Sequence, residues 1–298
     1  MKIILLATSQ TQTCLPLTFN KPNALLKVFN KTLLEFAIDS VSAHCLDFKV
    51  LVLKKHFTLF EKIFLPDSAS YEIIDNVSQI ESITSGDETI IDVVNFHPKS
   101  DSTENVRFGF FPIKYSWDLL SCQENFFDMV RYLNQGHIET NAVVRGNVSI
   151  GKGTVIKSGA YIEGNIKIGD NCIIGPNCYI RGVCSIDNNC RIGNAVEIKN
   201  SIIGENVNVC HLSYVGDSII GDDTNLGAGF INSNFRHDGA AIITKLNGEK
   251  INTHRQKLGV IIGEGVHTGV KTSTYPGRKI WPCIMTLPGE IVDKDIVS

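Results

Sequence analysis

The sequence predicts a chain in two parts. An α/β segment over residues 1–115 precedes an all-β parallel β-helix of hexapeptide repeats over residues 138–298, and a linking helix lies within 116–137. Three observations carry this reading. Val144, Ile150, Ile156, Ile162, Ile168, Ile174, Ile180, Ile186, Ile192 and Ile198 recur at every sixth position without a break. A second row follows each by four places: Val148, Thr154, Ala160, Ile166, Cys172, Cys178, Cys184, Cys190, Val196 and Ile202. The first 115 residues instead alternate strand-like with helix-like stretches. No α-helix keeps one face with a period of six, and no single strand alternates for so long. A coil of short strands and tight turns does both, and it buries its apolar rows only by stacking on the next coil.

Taken in chain order, Lys2–Ala7 reads as a buried strand. Lys31–His44 has helical spacing (Leu33, Leu34, Phe36, Ala37, Val41) after a cap at Asn30. Lys49–Leu53 and Thr89–Phe96 read as further strands, with a helix at Phe57–Phe64 between them, which favours a partly parallel sheet. The polar run His97–Asn105 reads as a loop. Trp117–Leu133 is predicted to be a helix with Leu119, Leu120, Phe126, Phe127, Val130 and Leu133 on one broad face, and Asn134–Gly136 leads into the repeats. The register drops one residue after Ile198, resumes at Ile203, Val209 and Val215, slips again to Ile220 and Leu226, and then breaks. Residues Ser233–Lys257 fit no hexad. Within this 25-residue excursion, Ala241–Thr244 and Lys250–Thr253 flank Asn247-Gly248, a hairpin signature. Insertions in solenoids map to one face and often build a binding site. Leu258–Gly263 restarts the coil, and Pro276, Pro282 and Pro288 fall at its later corners.

Apolar content of 43%, charge of 20% and a formal net charge of −3 describe an ordinary globular protein, with no global attraction for nucleic acid or acidic membranes. Lys2–Ala7 is too short to span a bilayer and lacks the flanks of a signal peptide, so a cytoplasmic location is expected. Four of the nine cysteines occupy the inward repeat row, where a free thiol serves as a small apolar group. No tight Cys-x-x-Cys pair suggests a metal, and none is predicted.

Residues 18 apart lie above one another on successive triangular coils, roughly 4.8 Å apart. Arg145, Glu163, Arg181 and Lys199 therefore form one outward column. The adjacent cations Arg181 and Lys199 repel unless something compensates. Either Glu163 pairs with Arg181 and Glu197 with Lys199, as a solvated ladder, or a ligand phosphate lies across the cations. His211, just upstream of Tyr214, has the chemistry of a general base near neutral pH. Gly227-Ala228-Gly229 either admits close approach of a ligand or turns a corner.

Several motifs recur in the order of a known family. Asn194-Ala195-Val196-Glu197-Ile198-Lys199-Asn200-Ser201, His211-Leu212-Ser213-Tyr214-Val215-Gly216-Asp217, Asn225-Leu226-Gly227-Ala228-Gly229 and Asn234-Phe235-Arg236-His237-Asp238-Gly239 resemble the acetyltransferase domain of bifunctional sugar-1-phosphate nucleotidyltransferase/acetyltransferases. The resemblance covers about residues 115–292 and implies a left-handed β-helix. It also implies acetyl-coenzyme A as co-substrate and a homotrimer with its site in a groove between copies. Carried over by position, Arg181 and Lys199 would hold the sugar phosphate, Tyr214 and Asn234 would contact the sugar or its phosphate, His211 would be the general base, and Asn225 and Ala228 would contact acetyl-coenzyme A. The family has a lysine shortly after the asparagine matching Asn234; here Ala240 stands there.

Met1–Ala7, Leu15–Thr18, Asn20-Lys21-Pro22 and Leu25–Val28 resemble the opening of a sugar nucleotidyltransferase of Rossmann-like fold. The triphosphate loop expected after the first strand is replaced by Ser9–Cys14, which holds neither glycine nor arginine, and Asn23 replaces a family lysine. Tyr115–Leu120 matches the family's junction helix, so the expectation is a truncated domain that has lost nucleotidyl transfer. The leading expectation is acetylation of an amino-sugar phosphate or nucleotide-linked amino sugar. A non-catalytic sugar-nucleotide-binding scaffold is the alternative, and retained nucleotidyl transfer the third reading.

Overall fold

The computed structural model describes residues 2–8, 12–42, 47–83, 88–93, 113–127 and 133–297. The chain divides into two compact units: residues 1–14, 20–27 and 31–115 in the first, and 15–19, 28–30 and 116–298 in the second.

The first unit centres on a four-stranded sheet in the order Ala69–Ile74, Phe48–Leu53, Lys2–Leu6, Glu88–Asp92. All three pairings are parallel. Ile3, Ile4 and Leu5 are all buried, the unbroken apolar run expected of a strand covered on both faces. The helix Leu33–Ser42 starts at a reciprocal cap on Thr32. The Glu35 amide donates to Thr32 Oγ1 (3.1 Å), and the Thr32 amide donates to Glu35 Oε2 (2.7 Å). Asn30 is therefore not the cap; its backbone is left-handed (φ 62°) and it belongs to the second unit. The helix expected at Phe57–Phe64 is a single turn, Phe57–Phe60. The strand Ala69–Ile74 was not expected, because its mixed burial gives no clean alternation. His44, the end of the strand expected to reach Phe96 and the loop His97–Asn105 lie outside the described residues.

The second unit is the β-helix, left-handed as the family likeness implied. Each coil has three faces. One carries Tyr161–Glu163, Tyr179–Arg181, Glu197–Lys199 and Tyr214–Gly216. The next carries Ile166–Ile168, Cys184–Ile186, Ile202–Ile203 and Ile219–Ile220. The third carries Ile173–Ile174, Arg191–Asn194, Asn208–His211 and Asn225–Leu226. The predicted aliphatics from Ile150 to Ile198 and the four inward cysteines are all buried in one continuous core. Full burial of each such aliphatic side chain stabilises by about 1.5–3 kcal/mol.

Corners fall at left-handed backbone positions that stack in columns. One runs Asn141, Gly159, Asn177, Ala195, Leu212, Gly229; another runs Gly153, Asn171, Asn189, Asn206, Asp223; the third runs Gly146, Gly164, Gly182, Asn200, Asp217. Asparagine, aspartate and glycine dominate because they tolerate positive φ best. The coil repeat is 18 residues from Tyr161↔Tyr179 to Arg181↔Lys199, 17 from Ser185↔Ile202 to Tyr214↔Ile231, and 18 again after the excursion, at Val260↔Arg278 and Ser273↔Ile291. The missing residue is lost at the third corner, beside Asn200.

The excursion leaves the coil at that same corner two turns later. The Leu258 amide donates to the Asn234 carbonyl (3.0 Å) and the Gly259 amide to the Asp217 carbonyl (2.8 Å), which closes its base. Inside it, Ile243–Leu246 and Glu249–Asn252 form the expected antiparallel hairpin around Asn247-Gly248, both at positive φ. The buried Lys279 ammonium donates to Thr244 Oγ1, the Lys245 carbonyl (both 2.6 Å) and Asp295 Oδ2 (3.2 Å), fastening the hairpin to the last coils. The linking helix spans Asp118–Phe126, shorter than expected, with residues 128–132 outside the described ones. Gln123 joins it to the β-helix, donating to the Val183 carbonyl (2.8 Å) and accepting from Ser185 Oγ (2.6 Å). Arg255 joins it to the excursion through Glu124 (2.5 and 3.2 Å) and Ser121 Oγ (2.6 Å).

Candidate functional site

The predicted outward column is real. Arg145, Glu163, Arg181 and Lys199 are successive register partners on one face. The pairing within it differs from the expected ladder. Arg181 donates through Nε (2.8 Å) and Nη2 (2.7 Å) to Glu197 Oε1, Lys199 Nζ donates to Asp217 Oδ2 (2.8 Å), and Glu163 accepts from the Tyr179 hydroxyl. Glu163 and Arg181 thus each reach diagonally to the next coil rather than to each other. The reason is geometric: a long side chain on a pleated face leans along its strand and meets the diagonal neighbour as readily as the one directly opposite.

The two ion pairs are not equivalent. Arg181 and Glu197 are each about one-third exposed, so water screens them and the pair contributes little. The Lys199 side chain is 11% exposed and that of Asp217 only 2%. Removing either partner there strands a buried charge, which costs about 3–5 kcal/mol. The repulsion between the two cations is met by resident carboxylates.

Asp217 was quoted in a sequence motif but given no role, and it proves to be the hub of the site. Besides Lys199 it accepts from Asn200 Nδ2 (3.3 Å) and Asn234 Nδ2 (2.6 Å). Asn234 Nδ2 also donates to the Tyr214 hydroxyl oxygen (3.0 Å). A single network therefore joins Lys199, Asp217, Asn234 and Tyr214, with Arg181 one coil away. Burial pushes the Tyr214 phenol above its ordinary pKa, and the Asp217 carboxylate adds to the shift. The signal that reveals Asp217 in a sequence is the corner column itself. Asn200 and Asp217 are 17 residues apart and continue the row Gly146, Gly164, Gly182, replacing absent side chains with polar ones.

His211 is exposed and ends the strand Asn208–His211, at the corner of the coil that precedes Tyr214. Only Leu212 and Ser213 separate it from the strand Tyr214–Gly216. Among the described residues no hydrogen bond or ion pair joins its imidazole to the Lys199–Asp217 network. Ala228 lies one coil further on: the Gly229 amide donates to the His211 carbonyl (3.1 Å). Gly227-Ala228-Gly229 therefore turns a corner directly beneath His211. Asn225 stacks on Asn208 on the third face, where it pairs through its backbone. Ala240 is exposed, its amide donating to Asp238 Oδ1 (3.1 Å).

Residues 162–273, which contain all of these side chains except Arg145, match the family described as GMPPB C-terminal domain. A bifunctional sugar-1-phosphate nucleotidylyltransferase/acetyltransferase of Sulfurisphaera tokodaii is 34% identical over 237 residues, 78% of this chain and 58% of that protein. The bifunctional protein GlmU of Methanococcus maripaludis is 52% identical over 184 residues, 62% of this chain and 44% of the relative. That of Methanocaldococcus jannaschii is 33% identical over 238 residues, covering 79% and 57%. Over these stretches the chain is similar to the bifunctional transferases. It spans about half the length of the relatives it matches. The family resemblance read from the sequence motifs thus holds over the β-helix.

Among the described residues, no group of three or more histidine, cysteine or acidic side chains is placed to hold a metal. No described helix is long and apolar enough to cross a membrane.

Proposed function

We propose that the β-helix transfers an acetyl group from acetyl-coenzyme A to the amine of an amino-sugar phosphate or nucleotide-linked amino sugar. The observation that carries this reading is the hydrogen-bonded network of Lys199, Asp217, Asn234 and Tyr214 beside Arg181, on a face whose opposite corner bears His211. Arg181 and Lys199 supply the charge for a phosphate, and Tyr214 and Asn234 supply polar contacts to the sugar. His211 takes a proton from the amine as nitrogen attacks the thioester carbonyl. A nitrogen–carbon bond forms, the carbon–sulfur bond breaks, and the thiol leaves with a proton. Asn225 and Ala228, on the coil beyond His211, contact the coenzyme. The assembly is a homotrimer with the groove between copies completing the site.

The test is a screen of hexosamine phosphates with acetyl-coenzyme A, following thiol release, on the full chain. Turnover is expected for at least one acceptor, and silence across the panel overturns the reading. His211→Ala should lower kcat by at least a hundredfold with acceptor binding unchanged; an effect on KM alone removes the base role. A trimer mass by light scattering is expected, and a monomer defeats the shared groove.

A scaffold reading draws support from Ala240, where the family has a lysine, and from the carboxylates that already neutralise both cations. Calorimetry with acetyl-coenzyme A separates the two readings, since a scaffold that only holds sugar nucleotides needs no coenzyme site. For the first unit we propose loss of nucleotidyl transfer, because Ser9–Cys14 lacks the glycines and arginine that cradle a triphosphate. Pyrophosphate release from a sugar 1-phosphate and a nucleoside triphosphate overturns that proposal.

A further inference from the structure

A buried carboxylate accepts hydrogen bonds and donates none while ionised, so whatever faces it must present a proton. Asp217 is 2% exposed and has three donors on it: Lys199 Nζ, Asn200 Nδ2 and Asn234 Nδ2. The consequence for Asn234 is decisive. An amide has two N–H groups; one goes to Asp217 at 2.6 Å and the other to the Tyr214 hydroxyl oxygen at 3.0 Å. Its amide orientation is thus settled by charge rather than chosen, because the flipped form sets oxygen against a carboxylate. With both N–H groups committed, its Oδ1 has no partner among the described residues. Tyr214, whose oxygen accepts from Asn234, keeps its own proton to give. Lys199 spends one of three N–H groups on Asp217.

We infer that Asp217 is the positioning residue of the site, fixing its hydrogen-bond polarity so that Tyr214 offers a proton, Asn234 an acceptor oxygen and Lys199 its remaining N–H groups to one ligand. The inference rests on the transferase reading of this face and deepens it. The ligand it selects carries an oxyanion or hydroxyl oxygen for Tyr214 and Lys199, and an N–H or O–H donor for Asn234. A hexosamine bearing a phosphate has both.

Asp217 is held at a left-handed corner (φ 51°) where the first coils carry glycine, and the space Asn200 occupies above it is made by the missing side chain of Gly182. A Cβ on Gly182 meets Asn200 Oδ1 at 1.9 Å. The corner that loses a residue in the coil repeat is the corner that gains this carboxylate, so the shorter coil and the polarity of the site arise together.

The test is calorimetric binding of a hexosamine 1-phosphate to the full chain and four variants, each checked for a cooperative melt. Tyr214→Phe deletes the hydroxyl, which is both the offered proton and the acceptor for Asn234 Nδ2, and should weaken binding at least tenfold. Lys199→Met removes the buried ammonium, so adding Asp217→Asn to it leaves no unpaired charge. The double variant should bind at least tenfold more weakly than Lys199→Met alone, because the Asn234 amide is then free to flip. In that double variant, adding Tyr214→Phe should cost less than twofold.

Equal affinities of Lys199→Met and Lys199→Met/Asp217→Asn overturn the inference, as does a full tenfold cost of Tyr214→Phe in both backgrounds. If the Asp217 variants do not fold, Tyr214→Phe decides alone: unchanged binding means that the hydroxyl is not presented. Absence of binding to the unmodified chain sinks the transferase reading and the inference with it. Binding that is indifferent to these substitutions sinks the inference only.

Discussion

The coils above Lys199 and those below it are built from the same repeat and do different work. Above, coils of 18 residues stack in strict register, and Gly146, Gly164 and Gly182 leave one corner column without side chains. Below, coils shorten to 17, and that column acquires Asn200, Asp217 and then the excursion. The upper coils owe their stability to the apolar core. The lower coils give up regularity at one corner and gain a buried polar network there. The comparison teaches that the informative positions in a solenoid are those where the period fails.

The comparison breaks most readily at Asp217. Asp217→Ala strands the Lys199 ammonium and should cost about 3–5 kcal/mol in chemical unfolding, with ligand affinity lost as well. In the upper coils, Ile168→Ala removes a fully buried side chain and should cost about 2–5 kcal/mol. The folded protein should then keep its affinity for a hexosamine phosphate; a loss of affinity there means that the upper coils are not merely scaffold.

Lys279 sharpens the contrast through pH. Burial lowers its pKa, while Asp295 partly offsets the shift. The unfolded chain therefore holds this proton at a pH where the folded chain has begun to release it. Stability relative to Lys279→Met should rise as pH climbs through the window below the ordinary lysine value. A flat difference between the two melting curves across that range removes the claim.

Smaller effects are expected at two further places. Leu212 adopts a left-handed backbone (φ 49°) that bulky residues avoid. Leu212→Gly should stabilise by up to about 1 kcal/mol, read from the urea midpoint. Burial pushes the Cys178 and Cys184 thiols up to about 12, so mass spectrometry after native alkylation should find them unmodified while exposed Cys283 is labelled. Labelling of Cys184 in the folded state contradicts a closed upper core.

Period and stacking were legible in the sequence because they depend on one apolar residue per turn, a signal repeated ten times. The Arg181–Lys199 adjacency was legible for the same reason, since register follows from counting. The ion partners were not. Glu197 lies diagonally from Arg181, and Asp217 meets Lys199 only because a corner with positive φ turns its side chain back toward the face. Counting gives the rung of a residue, while the partner depends on side-chain lean and corner geometry. For the helix Leu33–Ser42, residue preference alone pointed to Asn30 as the cap. The reciprocal bond to Glu35 decided for Thr32. Ala69–Ile74 escaped notice because an edge strand with half-wet faces carries no period.

The excursion departs and returns at neighbouring rungs, sealed by the Leu258–Asn234 and Gly259–Asp217 backbone bonds. Doubling the length of such a closed loop costs only about 0.6 kcal/mol in closure entropy. Closure of the seam is therefore insensitive to the length of what hangs from it, whereas the seating on the last coils depends on Thr244 and Lys245 holding Lys279. The seam can thus accept segments of different length while the rungs it joins keep their register.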